Sequence, residues 1–323
     1  SCKAVVKMFS CQPVIAGWSV GVKLEDLSEH PFTDGKHWEP KPCVLPERYM
    51  DFAERIRNFE VLEDDVWIVT FPKCGTTWTQ EMVWLIDHDL DYHTAKTINL
   101  NDRSVFLELY STFDRTEDTI TAAENLPRPR HIKSHLPVAL LPKQLWTVKP
   151  KIVYVSRNPK DVAASYLHHY RGFAGYRGTK EEFFERLLAD EVEYCPQIAH
   201  VLEFWRIRDH SNILFLTYEQ MKRDLRMVLP MVCDFFGKQF SSEQLDQLAK
   251  HLSFDEMKKN PATNNVELVQ ARMKREGREG DSFEFMRKGQ IGDYKNELSS
   301  GFIDRFDEFI ERELRGSDFK FDC

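Results

Sequence analysis

Residues 70–78, Thr-Phe-Pro-Lys-Cys-Gly-Thr-Thr-Trp, end a β-branched and aromatic run from Asp65 to Phe71 and open an amphipathic stretch. That order reads as strand, tight loop, helix. Gly75 allows the backbone to turn sharply, and the amides of Thr76 and Thr77 become unpaired donors at a helix N-terminus with the helix dipole behind them. Such a junction holds an anion, and Lys73 sets a full positive charge beside it. In the nucleotide loop G-x-x-x-x-G-K-[ST] the lysine follows the second glycine, whereas Lys73 precedes the only one here. The loop is therefore P-loop-like but of another kind. An ordinary strand-to-helix turn has the same outline, so other segments must decide between them.

Buried-strand runs, rich in Val, Ile and aromatics, fall at Asp65–Phe71, His131–Ser134, Lys151–Ser156 and Ile213–Thr217. Helix-period segments lie between and after them, at Thr77–Asp87, Lys160–Tyr170, Lys180–Arg208 and Glu219–Phe236, with Gly237 as a C-terminal stop. The alternation predicts an α/β fold, a central parallel sheet flanked by helices, with ligands beyond the carboxyl ends of the strands. Lys73, His135, Arg157 and Tyr218 each fall at or just past one of those ends.

A chain of 323 residues accommodates one large α/β domain or two smaller ones. The net charge of −8 argues against general nucleic-acid binding, so any phosphate must sit in a local basic pocket. No apolar run approaches membrane-span length, and Lys3, Lys7 and Pro13 make the N-terminus a poor signal peptide. A cytoplasmic protein is expected. The seven cysteines are scattered without a C-x-x-C pair, which favours neither a disulfide framework nor a zinc site.

Two further segments bring charge and a base. In Ser156-Arg-Asn-Pro-Lys-Asp161, Asn158 suits an N-cap, Pro159 the first helical position and Asp161 the first turn, which predicts a second anion-ready helix start. Arg157 precedes it and Ser165 lies two turns inside. In Ile132-Lys-Ser-His-Leu-Pro137, alternation along a strand end puts Lys133 and His135 on one side, a cation beside an imidazole suited to accept a proton near neutral pH. Near the end of the chain, Arg287 and Lys288 stand beside Gly289, which permits close approach of a ligand.

Together these segments resemble the cytosolic sulfotransferase family from about Glu63 onward. The resemblance rests on T-F-P-K-C-G-T-T-W at 70–78, I-K-S-H-L-P at 132–137, Y-V-S-R-N-P-K-D-V-A-A-S-Y at 154–166, L-T-Y-E at 216–219, S-F-D-E-M-K-K-N at 253–260 and F-M-R-K-G-Q-I-G-D-Y at 285–294. Segments such as L-D-Y-H-T-A-K-T and R-S-V-F-L-E look like insect members. The resemblance implies transfer of a sulfuryl group from 3′-phosphoadenosine-5′-phosphosulfate (PAPS) to a hydroxyl or amine, leaving 3′,5′-bisphosphoadenosine (PAP), without a metal. It implies one sulfotransferase domain over 1–323, with residues 1–62 divergent.

By the same resemblance, Lys73, Cys74, Gly75, Thr76 and Thr77 would cradle the 5′-phosphosulfate. Arg157, Ser165, Arg287, Lys288 and Gly289 would hold the 3′-phosphate. Trp78 and Phe254 would pack on adenine, with Tyr218 and Met257 on the same surface. His135 would be the general base and Lys73 and Lys133 would offset developing negative charge. Ser165 would hydrogen-bond Lys73 until an acceptor arrives. Phe106, Leu109 and Phe285, with His135, would wall an apolar acceptor pocket suited to a phenol, catecholamine, steroid or other alcohol. His169 stands where the family often has an aromatic, and would give a polar contact for a second hydroxyl or amine.

The stretch 258–281, charged and without clean periodicity, is expected to be a lid loop. Several positions depart from the family pattern. Cys74 replaces a usual serine; a low-pKa cysteine at a helix start is reactive, and the redox sensitivity of this thiol stays open. Leu252 replaces a common threonine. Lys295, Ser299, Ser300 and Asp304 match the family's dimer segment poorly, so the oligomeric state stays open. Two other readings remain: a phosphoryl-transferring kinase, disfavoured by the position of Lys73, and a nucleotide-binding protein without turnover, disfavoured by the intact Lys73, Lys133 and His135.

Overall fold

Alternate residues of the central strands serve two different cores. Trp67 and Val69 belong to one hydrophobic cluster, with Ile152 and Tyr154. Their neighbours Val66 and Ile68 belong to the other, with Val153 and Val155. Because successive side chains point to opposite faces, strands apolar at every position must be covered on both sides. The computed structural model, which describes residues 9–13, 19–25, 27, 38–112, 117–278 and 283–322, has that architecture.

Eight strands are present among the described residues: β1 (Phe9–Pro13), β2 (Ser19–Leu24), β3 (Cys43–Pro46), β4 (Val66–Thr70), β5 (Ser104–Phe106), β6 (His131–Ser134), β7 (Lys151–Ser156) and β8 (Ile213–Thr217). The five-stranded sheet has the order β5-β6-β4-β7-β8, and all its pairings are parallel. Helix α1 (Thr76–Asp87) covers one face through Met82, Val83, Leu85 and Ile86. Helix α2 (Pro159–Gly172) covers the other through Val162, Ala163, Tyr166 and Leu167. β1, β2 and β3 form a separate antiparallel sheet whose Val20, Val22, Leu24, Val44 and Leu45 join the second face's core.

Three of the four expected strands have the predicted limits, and the first is one residue shorter at each end. The expected helix over 180–208 is two, α3 (Lys180–Leu188) and α4 (Gln197–Arg206). Pro196, at the N-cap of α4, has no amide to donate and restricts the residue before it. The expected helix over 219–236 also divides, into α5 (Tyr218–Arg223) and α6 (Leu225–Phe236), because the Asp224 side chain accepts from the Met227 amide and starts a new helix. Gly237 ends α6 in the left-handed conformation, as expected.

The segment expected to be a lid loop is not irregular throughout: it carries helix α7 (Val266–Arg275). Val269 and Met273 face inward four residues apart, a spacing obscured in the sequence by the surrounding charges. Residues 279–281 lie outside the described residues, as does much of 1–62. No helix among the described residues is long and apolar enough to cross a membrane.

Candidate active site

At the end of β4 the chain turns through Lys73 with φ 68° and Gly75 with φ 91° before entering α1. Gly75 is required twice, since a left-handed residue favours glycine and a Cβ there would come 2.7 Å from Cδ2 of Tyr218. No side chain among the described residues caps the start of α1, so its first amides remain available to a ligand. Cys74 is buried, and desolvation pushes its thiol pKa far up. Burial thus answers the question left open for Cys74 against redox sensitivity, because the thiolate is the reactive form.

The second helix start is not open in the way expected. Asn158 Oδ1 accepts the amide of Lys160 at 3.0 Å, and Asp161, rather than serving only the helix dipole, reaches another segment. Its two carboxylate oxygens accept the amides of Gly292 at 2.8 Å and Tyr294 at 3.2 Å. The anion-binding potential lies instead with Arg157. Its guanidinium donates to the carbonyls of Lys73 at 3.0 Å and Gln290 at 3.1 Å, lies 4.1 Å from the Tyr218 ring, and keeps a buried Nε with no partner among the described residues. One side chain thus joins the phosphate loop to the segment carrying Arg287 and Lys288. Asp293 holds both of those cations, at 2.5 Å and 2.8 Å. Gly289, with φ 59°, lies flat against Phe254, since a Cβ would fall 2.5 Å from its ring.

At the end of β6, His135 is only 8% exposed, and its partners fix the tautomer. Nδ1 lies 2.7 Å from the Thr70 carbonyl, which can only accept, so Nδ1 carries the proton and Nε2 keeps a lone pair. Burial, then the charge of Lys133, lowers the pKa well below the usual histidine value despite the bond to Thr70. The imidazole is therefore neutral at neutral pH. Its carbonyl accepts from Nε2 of His200, whose Nδ1 faces the Tyr154 hydroxyl at 2.9 Å. Phe106 separates the base from a cation, with its ring 5.0 Å from that of His135 and 4.2 Å from Lys133 Nζ.

The cations are shifted as well. Burial, followed by Lys133, Arg157 and Arg287, lowers Lys73 to about 7, and burial lowers Lys133 to about 8. Cations crowded in a partly dry cleft with depressed pKa values are the signature of a site for an anion.

Of the candidate catalytic, cofactor and acceptor residues read from the sequence, all but Cys74 line one cleft of about 480 Å³. Lys73, Gly75, Thr76, Thr77, Trp78, Arg157, Ser165, Tyr218, Phe254, Met257, Arg287, Lys288 and Gly289 share it with Lys133, His135, Phe106, Leu109, His169 and Phe285. Trp78 and Tyr218 pack edge to face, 5.7 Å apart. Phe285 stands between Lys73 Nζ, at 4.9 Å, and the His169 ring, at 6.2 Å. Ser165 and Lys73 line the cleft together without the expected hydrogen bond between them. Leu252, also in the lining, is buried.

Sequence reasoning missed three residues. Glu108 is fully buried, accepts the His135 amide at 2.6 Å, and burial raises its pKa to about 7. Its only signal was adjacency to Phe106. Tyr194, with φ 66°, packs 5.4 Å from His135, and Glu193 beside it lines the same cleft with its pKa raised to about 7 by burial. Both follow a helix end that the sequence pattern hid.

The family model described as "Sulfotransferase domain" matches residues 63–318. The luciferin sulfotransferase of Photinus pyralis is 38% identical over 287 residues, spanning 84% of this chain and 77% of that protein. A crystal structure of retinol dehydratase in complex with androsterone and inactive cofactor PAP superposes with a TM-score of 0.80 at 27% identity, over 94% of this chain and 92% of the other. A second retinol dehydratase structure, with retinol and PAP, gives 0.79 at 26% identity over the same shares.

Proposed function

The chain belongs to the sulfotransferase domain family, and on that premise we propose that it moves the sulfuryl group of PAPS to a hydroxyl or amine of a small, largely apolar acceptor, with His135 as general base. The observation that carries this reading is the 2.7 Å contact between His135 Nδ1 and the Thr70 carbonyl. It turns a lone pair on Nε2 into the cleft's available base, beside Lys133 and within the cleft that Lys73 also lines.

The residues present suit PAPS. An uncapped helix start and the Lys73 ammonium fit a 5′-phosphosulfate, while Arg157, with its unpartnered Nε, and the Arg287–Lys288 pair fit a 3′-phosphate. Trp78, Tyr218 and Phe254 offer aromatic surface for a base between them. When bound, PAPS supplies an electrophilic sulfur and a phosphate leaving group. His135 Nε2 takes the acceptor's proton, raising the nucleophilicity of its oxygen. Lys133 and Lys73 oppose negative charge that grows on the sulfuryl and leaving oxygens, in a site shielded enough for that charge to count. The resemblance to retinol dehydratase, whose structures hold retinol or androsterone with PAP, supports an apolar alcohol as the acceptor class.

For the far end of the pocket, His169 stacks on Phe173 at 5.0 Å and has a buried Nδ1 with no partner among the described residues. That supports a polar contact to an acceptor bearing a second hydroxyl or amine. The 258–281 segment, with α7 bringing Leu268 to the cleft lining, serves in this reading as a lid.

The test is transfer of radiolabelled sulfate from PAPS across a panel of phenols, catecholamines and steroids, with wild type and His135→Ala. Labelled product from wild type alone supports the reading. No product from any acceptor, or equal turnover by the variant, overturns it. A His169→Phe variant that ranks the panel as wild type does would remove the polar contact while leaving the rest intact.

A further inference from the structure

At the end of the sheet opposite the cleft, the sequence leads to no metal site, because one of the groups that meet there lies more than forty residues from the other two in the chain. Asp87 is the last residue of α1, His88 caps it, and His131 opens β6. One ligand atom from each lies within 4.8 Å of the others. None of the three lines the cleft. We infer that Asp87, His88 and His131 form a binding site for a divalent transition-metal ion of the zinc class.

The chemistry of each group fits. His88 Nδ1 donates to the Trp84 carbonyl at 3.0 Å, leaving Nε2 as a lone pair, and stacking on Trp84 at 4.1 Å holds the ring. A ring nitrogen fixed on a backbone carbonyl so that the other can ligate is the usual support of a metal-bound histidine. The His131 ring is 5.1 Å from that of His88, and its Nε2 lies 2.8 Å from Asp87 Oδ2. A shared proton there stands where a metal would bridge imidazole and carboxylate. His131 Nδ1 is buried and has no partner among the described residues. The Asp87 carboxylate, which can only accept, holds the ring proton on Nε2 in the metal-free protein, and the unpartnered Nδ1 is where that proton goes when a metal takes Nε2. The movement is internal to the ring and releases no proton.

Electrostatics do not oppose the ion. The nearby cations are already paired, Arg103 with Glu81 at 2.6 Å and Lys238 with Asp89 at 2.8 Å. Two imidazoles and a carboxylate with a remaining position open to water make a familiar set for zinc, and Asp87 and His88 are partly exposed, which gives the ion a way in. The ion would tie the C-terminal end of α1 to the first residue of β6, elements whose other ends carry Thr76 and Lys133.

Titration of the metal-stripped full chain with Co2+ reads the ligands directly, and competition between Zn2+ and a chromophoric chelator reads affinity. One equivalent of Co2+ is expected, with the ligand-field bands of nitrogen and oxygen donors and without thiolate charge-transfer bands. His88→Ala is expected to weaken Zn2+ by more than the roughly 10–100-fold that loss of an outer-shell partner costs. Zn2+ is expected to raise the thermal midpoint of wild type and leave that of His88→Ala unmoved. Because replacing the buried His131 opens a hole in the core, Asp87→Asn serves as the second variant, with the same expected loss and with PAP affinity as the check on folding. Absence of stoichiometric binding, thiolate bands, or unchanged affinity in both folded variants overturns the site.

Discussion

The backbone amide of His135 donates to Glu108 Oε1 at 2.6 Å, while the second oxygen of that carboxylate is buried with no hydrogen-bond partner among the described residues. A fully buried acid thus fixes the turn that aims the imidazole and faces the ammonium of Lys133. Its charge favours the protonated lysine, so removing it lowers the Lys133 pKa from about 8. Glu108→Gln retains an acceptor for the His135 amide and is expected to keep the fold. The alkaline limb of its rate profile should move to lower pH, since Lys133 loses its proton sooner. Glu108→Ala strands the amide as well, and is expected to lose about 1–3 kcal/mol of stability. Rate profiles from pH 6 to pH 9 and thermal unfolding of the two variants separate the effects; an unmoved alkaline limb in Glu108→Gln excludes the coupling to Lys133.

His135 and Arg157 stand at different parts of the cleft and should fail differently. His135→Ala removes the base and is expected to lower kcat by about 10²–10⁴-fold, with PAP affinity nearly unchanged. Arg157→Ala removes a charged donor and the link between two loops. It should weaken PAP by about 1.5–3 kcal/mol. Calorimetric titration with PAP, run beside kinetics, reads both, and an equal loss of PAP affinity in the two variants contradicts the separation of roles.

Lys73, lowered to about 7 by burial and then by neighbouring cations, is partly deprotonated in the free protein at neutral pH. A phosphate brought beside it favours the charged form, so its pKa rises on binding. Binding then takes up protons above pH 7, and PAP affinity should fall as pH rises through and beyond that value. Below about 6 the lysine is already charged and this contribution levels off. Calorimetry in buffers of different ionisation enthalpy measures the uptake directly, and none at pH 8 would contradict the assignment to Lys73.

The parallel strands were legible because covering on both faces leaves uninterrupted apolar runs, as at Lys151–Ser156. β5 was not, since three residues carry no period, although it brings Phe106 to the cleft. Residues of the cleft were legible where local chemistry is unusual, as with Lys73 before a single glycine. Glu108 was not, because a buried carboxylate and a surface one look alike in a sequence. Asp161 was read for its helix position alone. Nothing local indicates that its oxygens receive amides 131 and 133 residues away.

That long reach makes Asp161 a distinct test of how the Arg287–Lys288 segment is held. Its carboxylate binds the amides of Gly292 and Tyr294 to the first turn of α2, and Asp293 between them grips both cations. Asp161→Ala frees two amides and the segment with them. Asp161→Asn keeps one oxygen acceptor and should lie between Ala and wild type. Since Arg287 and Lys288 would then be positioned less often, PAP affinity is expected to fall by about 10-fold in Asp161→Ala, the equivalent of about 1.4 kcal/mol. The rate with PAPS at saturation should change less, because His135 and Lys133 stand on β6 and its following turn, away from the loosened segment. Hydrogen exchange gives the independent readout, with the amides of Gly292 and Tyr294 expected to lose protection. Lost affinity with those amides still protected would assign the effect to the helix start instead.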